Sequence, residues 1–386
     1  MPLRIPPASL TALRRVLRRW YRRERRDLPW RLTRDPYRIW VSEIMLQQTR
    51  VETVTPFYER FLETFPTVEL LAAAAPQRVL KLWEGLGYYS RARNLHAAAR
   101  QLVRAHGGKL PRDAIGWRAL PGVGRYTAAA IASIAFGEPV AVLDSNVKRV
   151  LARLSAITSP VSNKRTTDAL WAHASALLDH AAPGDFNQAL MELGATLCLP
   201  RRPACERCPL RRWCVARRIG KEESLPTRRP TPATPRRRSV ALLASRRGRI
   251  LLSQRPARGL LGGLWELPNA AIDARDTNNG ARRASELARK LRLGAPRSDS
   301  RRAYRHAFTH FVQDLQVYAC RVVLGRRAAP PGMRWTSAAD RESLPLTRLC
   351  RRVLESAVWQ DQPGCEGLTE LSFAAIESGD QGAAAT

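Results

Sequence analysis

Cys198, Cys205, Cys208 and Cys214 lie within 17 residues at the spacing Cys-x6-Cys-x2-Cys-x5-Cys, which constrains this chain more than any other feature. Four thiolates so placed can close around one metal centre, and tetrahedral zinc and an iron–sulfur cluster both satisfy that chemistry. Tight clustering in a chain without an apolar secretory leader points to metal rather than disulfides. Arg201, Arg202, Arg207, Arg211 and Arg212 stand between the ligands. They make the loop a basic surface, better suited to phosphate contact than to electron transfer. Cys320, Cys350 and Cys365 are scattered and read as packing residues.

The charge balance agrees. The chain carries 65 Lys+Arg against 33 Asp+Glu, a net charge of +32, and only 6 of the basic residues are Lys. A GC-rich genome accounts for Arg over Lys but not for the excess, which predicts attraction to a polyanion, most simply nucleic acid. No apolar run reaches the length of a membrane span; the longest uncharged stretch, Tyr126 to Gly137, reads as a buried helix. The basic N-terminus lacks the core of a secretory signal, so a cytoplasmic, nucleoid-associated location is expected, although an Arg-rich, acid-poor start also resembles an organellar leader.

A chain of 386 residues has room for two or three domains. Residues 1–224 read as successive helices, with apolar positions at three and four spacing, as in Leu10, Leu13, Leu17 and Trp20. Asp35-Pro36 and Asp113 are helix-start signals. Residues 225–238, rich in Pro and Arg, read as a linker. Residues 239–360 form an α+β unit: short β-type runs at 239–245 and 250–254 flank a turn at Arg246-Arg247-Gly248, residues 281–292 look helical, and 311–323 alternates like a strand. Residues 361–386 read as a disordered tail.

Leu120-Pro121-Gly122-Val123-Gly124-Arg125-Tyr126 joins two helical segments. Such a turn, followed by a helix N-terminus, can hold one phosphate through main-chain N–H groups. It fits a helix–hairpin–helix that grips DNA without reading sequence, with an ordinary helix–helix turn as the plainer reading. Asp144 follows the apolar run 140–143 and caps the next helix, where a carboxylate is stabilised as the anion. Glu43 lies four residues after Ile39 and three before Leu46, on an apolar helix face. Burial there favours its neutral form. A raised acid beside an ionised Asp suits cleavage of a glycosidic bond, whereas a half-buried salt bridge to one of the arginines is the plainer alternative.

Together these residues resemble the adenine DNA glycosylases of the MutY family, within the helix–hairpin–helix superfamily. The carriers are Leu28-Pro29-Trp30-Arg31, the run from Val41-Ser42-Glu43 to Gln47-Gln48-Thr49, Gly85-Leu86-Gly87-Tyr88-Tyr89, the hairpin, Val142-Leu143-Asp144-Ser145-Asn146, Phe186-Asn187-Gln188 and the cysteine loop. The resemblance implies a mainly α catalytic region, a six-helix barrel plus an iron–sulfur module with a [4Fe–4S] cluster on the four cysteines, and a C-terminal α+β Nudix-like domain that recognises 8-oxoguanine. In that family the loop matching Phe308-Thr309-His310 usually carries Ser in the middle; Thr309 keeps the hydroxyl and adds a methyl. Residues 281–295 lack a Glu-rich Nudix box, so no pyrophosphohydrolase activity is expected.

The resemblance also implies roles. Gln48 and Tyr88 wedge into the duplex, and the adenine is extruded. Glu43 protonates N7 of adenine, and Asp144 stabilises or traps the sugar cation. Tyr126 and Asn146 position Asp144 and the sugar. Trp30, Arg31 and Gln188 contact the base and Leu46 the substrate DNA, while Gly122, Val123 and Gly124 contact the phosphate. The expected substrate is double-stranded DNA with adenine opposite 8-oxoguanine or guanine, and the expected state is a monomer. An endonuclease III-like glycosylase/lyase would need a Lys where Tyr126 stands. A thymine-mismatch glycosylase can carry Tyr there but usually lacks the second domain. A noncatalytic DNA-binding iron–sulfur protein is the reading from another class.

Overall fold

The computed structural model describes residues 5–227, 233–273, 280–320, 322 and 328–356. Residues 228–232 of the expected linker, Cys365 and the expected tail at 361–386 lie outside the described residues. The chain divides into two compact units, Met1–Ala74 with Arg91–Thr231, and Ala75–Ser90 with Pro232–Thr386.

The first unit is helical. Its elements are α1 (Pro7–Glu24), α2 (Pro36–Leu46), α3 (Val51–Thr64), α4 (Val68–Ala73), then, after α5 (Pro76–Leu82) of the second unit, α6 (Ser90–His106), α7 (Ala114–Arg118), α8 (Arg125–Phe136), α9 (Ser145–Leu154), α10 (Lys164–Leu177), α11 (Pro183–Thr196) and α12 (Val215–Arg218). Asp35 caps α2 through the N–H groups of Tyr37 and Arg38, and Asp113 caps α7 through that of Gly116. The uncharged stretch is α8. It is apolar on every side, as a central helix must be, and Gly137 ends it in the left-handed conformation at φ 74°. Helices α2, α7 and α11 pack on it.

Helix α11 comes unusually close to two neighbours. A Cβ on Gly184 would stand 2.6 Å from the Ser133 carbonyl oxygen of α8, and one on Gly194 would stand 2.6 Å from the Cβ of Asn146 in α9. Between them the buried Asn187 donates to Ser133 Oγ at 2.9 Å and to the Val140 carbonyl at 2.8 Å, and accepts from the Val142 N–H at 3.3 Å. These bonds fix the extended segment that leads into Asp144.

The second unit is a sheet between helices: β1 (Arg236–Arg246), β2 (Arg249–Gln254), β3 (Trp265–Glu266), β4 (Asn269–Ile272), β5 (Arg302–Ala307), β6 (Val312–Cys320) and β7 (Met333–Thr336), with α13 (Gly280–Lys290), α14 (Ala338–Ser343) and α15 (Arg348–Leu354). The order is β3-β2-β1-β6-β5, with β4 on β1 and β7 on β2. β1 and β6 are parallel and the other pairs antiparallel. β1 is buried on both faces. Ala241 and Leu243 meet the α15 side, while Val240, Leu242 and Ala244 meet the α13 side, the period of two expected of a strand. The β1–β2 turn is Arg247-Gly248, both at positive φ.

Two boundaries differ from the sequence reading. Arg236–Arg238 already pair in β1 although their side chains are exposed, and Leu225, at the other end of the expected linker, is buried. Backbone pairing needs no apolar side chain, so the pattern hid the strand's start. Residues 75–90 belong to the second unit. Gln77 donates to the Gly263 carbonyl at 3.1 Å and accepts from Trp265 Nε1 at 3.3 Å, and Glu84 pairs with Arg351 at 2.6 Å. An amphipathic pattern says which face of a helix is covered but not by what.

Replacing Asn187 with Ala should strip a partner from each of three groups, Ser133 Oγ, the Val140 carbonyl and the Val142 N–H, and cost about 2–3 kcal/mol. Chemical denaturation should read this as a lower midpoint with an unchanged slope.

Candidate active site

Glu43 sits in the second half of α2, a helix buried from Ile39 to Met45. Its Oε2 is buried and has no hydrogen-bond partner. Burial pushes the carboxyl up to about 7; the Tyr126 hydroxyl opposes the shift, Asp144 adds to it, and Arg31 opposes it. Those groups arrive from three elements. Tyr126 is in the first turn of α8, Asp144 is the N-cap of α9, and Arg31 ends the short 3-10 turn Pro29–Arg31. The sequence-predicted Glu43, Tyr126, Asp144 and Asn146 therefore share one neighbourhood of the first unit.

Asp144 accepts from the Val147 N–H at 2.6 Å and from Asn146 Nδ2 at 3.0 Å. Capping alone would lower its pKa, yet burial dominates and raises it, with the Val147 and Asn146 donors and Arg149 pulling the other way. The two carboxyls are unequal all the same. One has two donors and the other has an orphan oxygen, so Glu43 is the one that keeps a proton.

Asn146 is itself held. Arg149 Nη2 donates to Asn146 Oδ1 at 2.8 Å and to the Gly194 carbonyl at 2.7 Å, while its Nε donates to the Cys198 carbonyl at 2.7 Å. One turn further on, Arg153 Nη1 donates to Cys198 Sγ at 3.2 Å and to the Leu199 carbonyl at 2.6 Å. Helix α9 thus carries the capping carboxylate at one end and ties the cysteine loop along its length. Cys198, Cys205, Cys208 and Cys214 are all half-buried and free of disulfides. Burial raises the Cys205, Cys208 and Cys214 thiols, Cys208 to about 12, and proximity to the other cysteines of the set raises them further. Among the described residues no three His, Cys, Asp or Glu side chains lie at the spacing that one ion requires. The thiols do gather in one place, where a positive centre would relieve the repulsion between their thiolates.

Trp30 is buried edge-on to Tyr58, with ring centroids 5.4 Å apart. Arg31 is spoken for: Nη2 pairs with Glu192 at 2.7 Å and Nη1 donates to the Arg26 carbonyl at 3.0 Å. Burial works to raise Glu192, but the hydrogen bonds from Arg26 and Arg31 overcome it and hold the carboxyl at about 2. Leu46 is half-buried at the end of α2, and Gln188 Nε2 turns back to the Gly184 carbonyl at 3.4 Å. Gln48 is exposed with a left-handed backbone, φ 58°. Arg91 Nη1 grips the carbonyls just before it, Met45 at 2.6 Å and Gln47 at 2.5 Å, and Nη2 reaches Thr49 Oγ1 at 3.1 Å.

In the hairpin the Val123 N–H closes on the Leu120 carbonyl at 3.2 Å, and Gly124 begins α8 without a side-chain cap. Gly122 has φ 77°, and a Cβ there would stand 2.6 Å from Asn94 Cβ. A Cβ on Gly124 would meet nothing within 4 Å.

In the second unit Phe308, Thr309 and His310 form the β5–β6 turn. Phe308 stacks on Phe311 at 4.5 Å and meets His306 edge-on at 4.6 Å. Thr309 Oγ1 lies 2.6 Å from the hydroxyl of Tyr88, whose backbone is also left-handed at φ 46°. Gln48 and Tyr88, picked from sequence as wedges, are thus both non-glycine residues in a strained conformation, the kind of outlier found at functional sites.

Sequence reasoning missed Arg91, Arg149, Glu192 and Met191. Arg91 carried a signal, since it stands four residues before Leu95 on the face that Ala98, Ala99 and Leu102 bury. Met191 gave none; its Sδ accepts from the Tyr126 hydroxyl at 3.1 Å.

Residues 41–174 match the model of the HhH-GPD superfamily of base excision DNA repair proteins, and residues 239–356 match the NUDIX domain model. A human adenine DNA glycosylase is 38% identical over 93% of this chain and 76% of its own length. The mouse protein of that name is 40% identical over 85% of this chain and 74% of its own. A solved thermostable thymine-DNA glycosylase is 31% identical, with a TM-score of 0.49 over 55% of this chain and 98% of its own.

Two glycine substitutions should separate packing from contact. Gly194→Ala pushes on Asn146 and should cost about 1–3 kcal/mol with a loss of turnover. Gly124→Ala should melt like the parent yet bind duplex DNA more weakly, read by anisotropy at fixed salt.

Proposed function

The chain belongs to the adenine DNA glycosylase family and is a base-excision repair glycosylase, and from that premise we propose that it hydrolyses the N-glycosidic bond of adenine paired with 8-oxoguanine or guanine. The observation that carries the reading is Glu43 Oε2, buried and unpartnered beside a donor-held Asp144. A carboxylic acid kept protonated near neutral pH is what adenine N7 needs to become part of a leaving group. As the bond breaks, positive charge grows on the sugar. Asp144, fixed by Val147 and Asn146, is the group that offsets or traps it. Glu43, now ionised, draws the proton from the attacking water.

Tyr126 stands where a glycosylase/lyase would need its Lys, so release occurs without a Schiff base and strand breaks require alkali. The α8 N-terminus and the hairpin amides other than that of Val123, whose N–H is taken by the Leu120 carbonyl, hold a phosphate, and Gln48 and Tyr88 enter the stack as the adenine leaves it. Thr309, with the Tyr88 hydroxyl on its Oγ1, reads the base opposite. Trp30, Arg31, Leu46 and Gln188 surround the extruded base. Cys198, Cys205, Cys208 and Cys214 would hold a [4Fe–4S] cluster, and the proximity by which they would repel one another as thiolates supports that donor set. When bound, the cluster supplies four iron–thiolate bonds that close the loop.

The test is adenine release from duplexes with adenine opposite 8-oxoguanine, guanine or thymine, and thymine release opposite guanine. Release confined to the first two, with breaks only after alkali, is expected; release from the thymine mispair overturns the reading. Glu43→Gln and Asp144→Asn should each abolish release while duplex binding survives. Thr309→Ala should narrow the preference for 8-oxoguanine over guanine by about five- to tenfold, the worth of one hydrogen bond.

The pH dependence follows from Glu43. Its acid form persists up to about pH 7, so single-turnover release should fall tenfold per pH unit above that point. The same shift is a stability cost. A carboxyl raised by folding binds its proton more tightly in the native state, so stability declines as pH rises from the ordinary carboxylate range through about 7. Glu43→Gln should therefore melt a few degrees higher than the parent at mildly alkaline pH.

A further inference from the structure

The Tyr126 hydroxyl has one proton and two neighbours that can take it. One is Met191 Sδ on α11, 3.1 Å away and aligned to accept. The other is the Glu43 carboxyl, close enough that the same hydroxyl acts on its ionisation. A carboxylate is much the stronger acceptor, and a hydrogen bond to it favours the anion. Burial favours the Glu43 acid, and the share of the Tyr126 proton that each neighbour receives tunes how far.

We propose that Met191 is a positioning residue for base release: by accepting the Tyr126 O–H on its thioether sulfur, it competes with Glu43 for that donor and weakens the hydrogen bond that would favour the Glu43 anion. The groups facing Glu43 are Tyr126 from α8, Asp144 from the head of α9 and Arg31 from the 3-10 turn. Asp144 favours the proton on Glu43 by repulsion. Arg31 opposes it, but its guanidinium is taken by Glu192 and the Arg26 carbonyl. Met191 and Glu192 are adjacent on α11. One turn of one helix thus competes for both donors that stabilise a Glu43 carboxylate. A thioether is suited to this, since it accepts weakly, adds no charge and packs against the apolar cluster that Tyr126 also joins.

The inference rests on Glu43 being the acid, and the experiment separates the two. Single-turnover adenine release by the full-length protein would be followed from mildly acidic to mildly alkaline pH. Met191→Leu removes the acceptor and keeps the bulk. The Tyr126 O–H should then turn to Glu43, and the alkaline limb should move acidward by about half to one pH unit, a three- to tenfold loss above the limb. Met191→Gln, which restores an acceptor oxygen, should return the limb towards the parent position. In a Tyr126→Phe background Met191→Leu should leave the limb where Tyr126→Phe alone puts it. A limb unmoved in a Met191→Leu protein with parental circular dichroism and melting overturns the proposal. So does a shift that persists without the Tyr126 hydroxyl, because that would mark a packing effect. Glu43→Gln run in parallel should release no adenine; release by that variant would sink the acid assignment itself, whatever Met191 does.

Discussion

Taking the Glu43 carboxyl out of water while leaving Oε2 without a partner is the constraint on which the rest of the first unit depends. An unsatisfied buried polar group costs about 1–3 kcal/mol, and the cost is larger once the group is charged. The group stays because α2 is buried from Ile39 to Met45 and packs on α8, whose small residues Ala128 to Ala130 and Ala132 are buried as well. The neutral form is the cheaper way to occupy that position. Asp144 stands beside it with the opposite provision, two N–H donors and the head of a helix. The two carboxyls differ in chemistry because one has two N–H donors, from the Val147 backbone and the Asn146 side chain, while the other keeps an oxygen with none.

The arginines around this pair are largely internal staples. Arg91 closes on the carbonyls at the end of α2, Arg149 links Asn146 to the cysteine loop, and Arg153 donates to four groups between Cys198 and Leu225. Arg31 is held by Glu192. A guanidinium suits these places because its planar fork satisfies several carbonyls at once and stays charged when buried. The net charge of +32 therefore overstates the surface available to a polyanion. Part of it is spent closing helix ends that no side chain caps.

Most of the frame was legible from sequence because it depends on local rules. The uncharged run became α8, Asp144 became a cap, Glu43 was flagged by standing on an apolar face, and the alternation of residues 239–245 became the doubly buried β1. What escaped was everything decided by a distant partner. Residues 75–90 read as one more helix in a helical series, yet Gln77, Glu84 and Tyr88 bond to residues 263 to 351. Met191 looks like any apolar position of α11 until Tyr126 is placed against it. Arg91 was the intermediate case, a charge on an apolar stripe, which signals a buried partner without naming it.

Helix α11 shows how far a structure can set chemistry without contributing a reacting group. Gly184 admits α8 and Gly194 admits α9, so the helix is gripped near both ends by the two elements that carry Tyr126 and Asp144. Between those contacts Asn187 fixes the segment leading into Asp144, Met191 accepts a hydrogen bond from the Tyr126 hydroxyl and Glu192 accepts from Arg31. A larger residue at either glycine would separate the helices, and the intervening side chains would then fall short of their partners together rather than singly. The spacing of the elements that carry Tyr126 and Asp144 is therefore fixed by close backbone packing, which allows little adjustment, and the ionisation of the acid is tuned by side chains hung on the same helix, which allow more. That division lets the pKa of Glu43 be tuned by substitutions on α11 while the positions of the reacting groups stay constant.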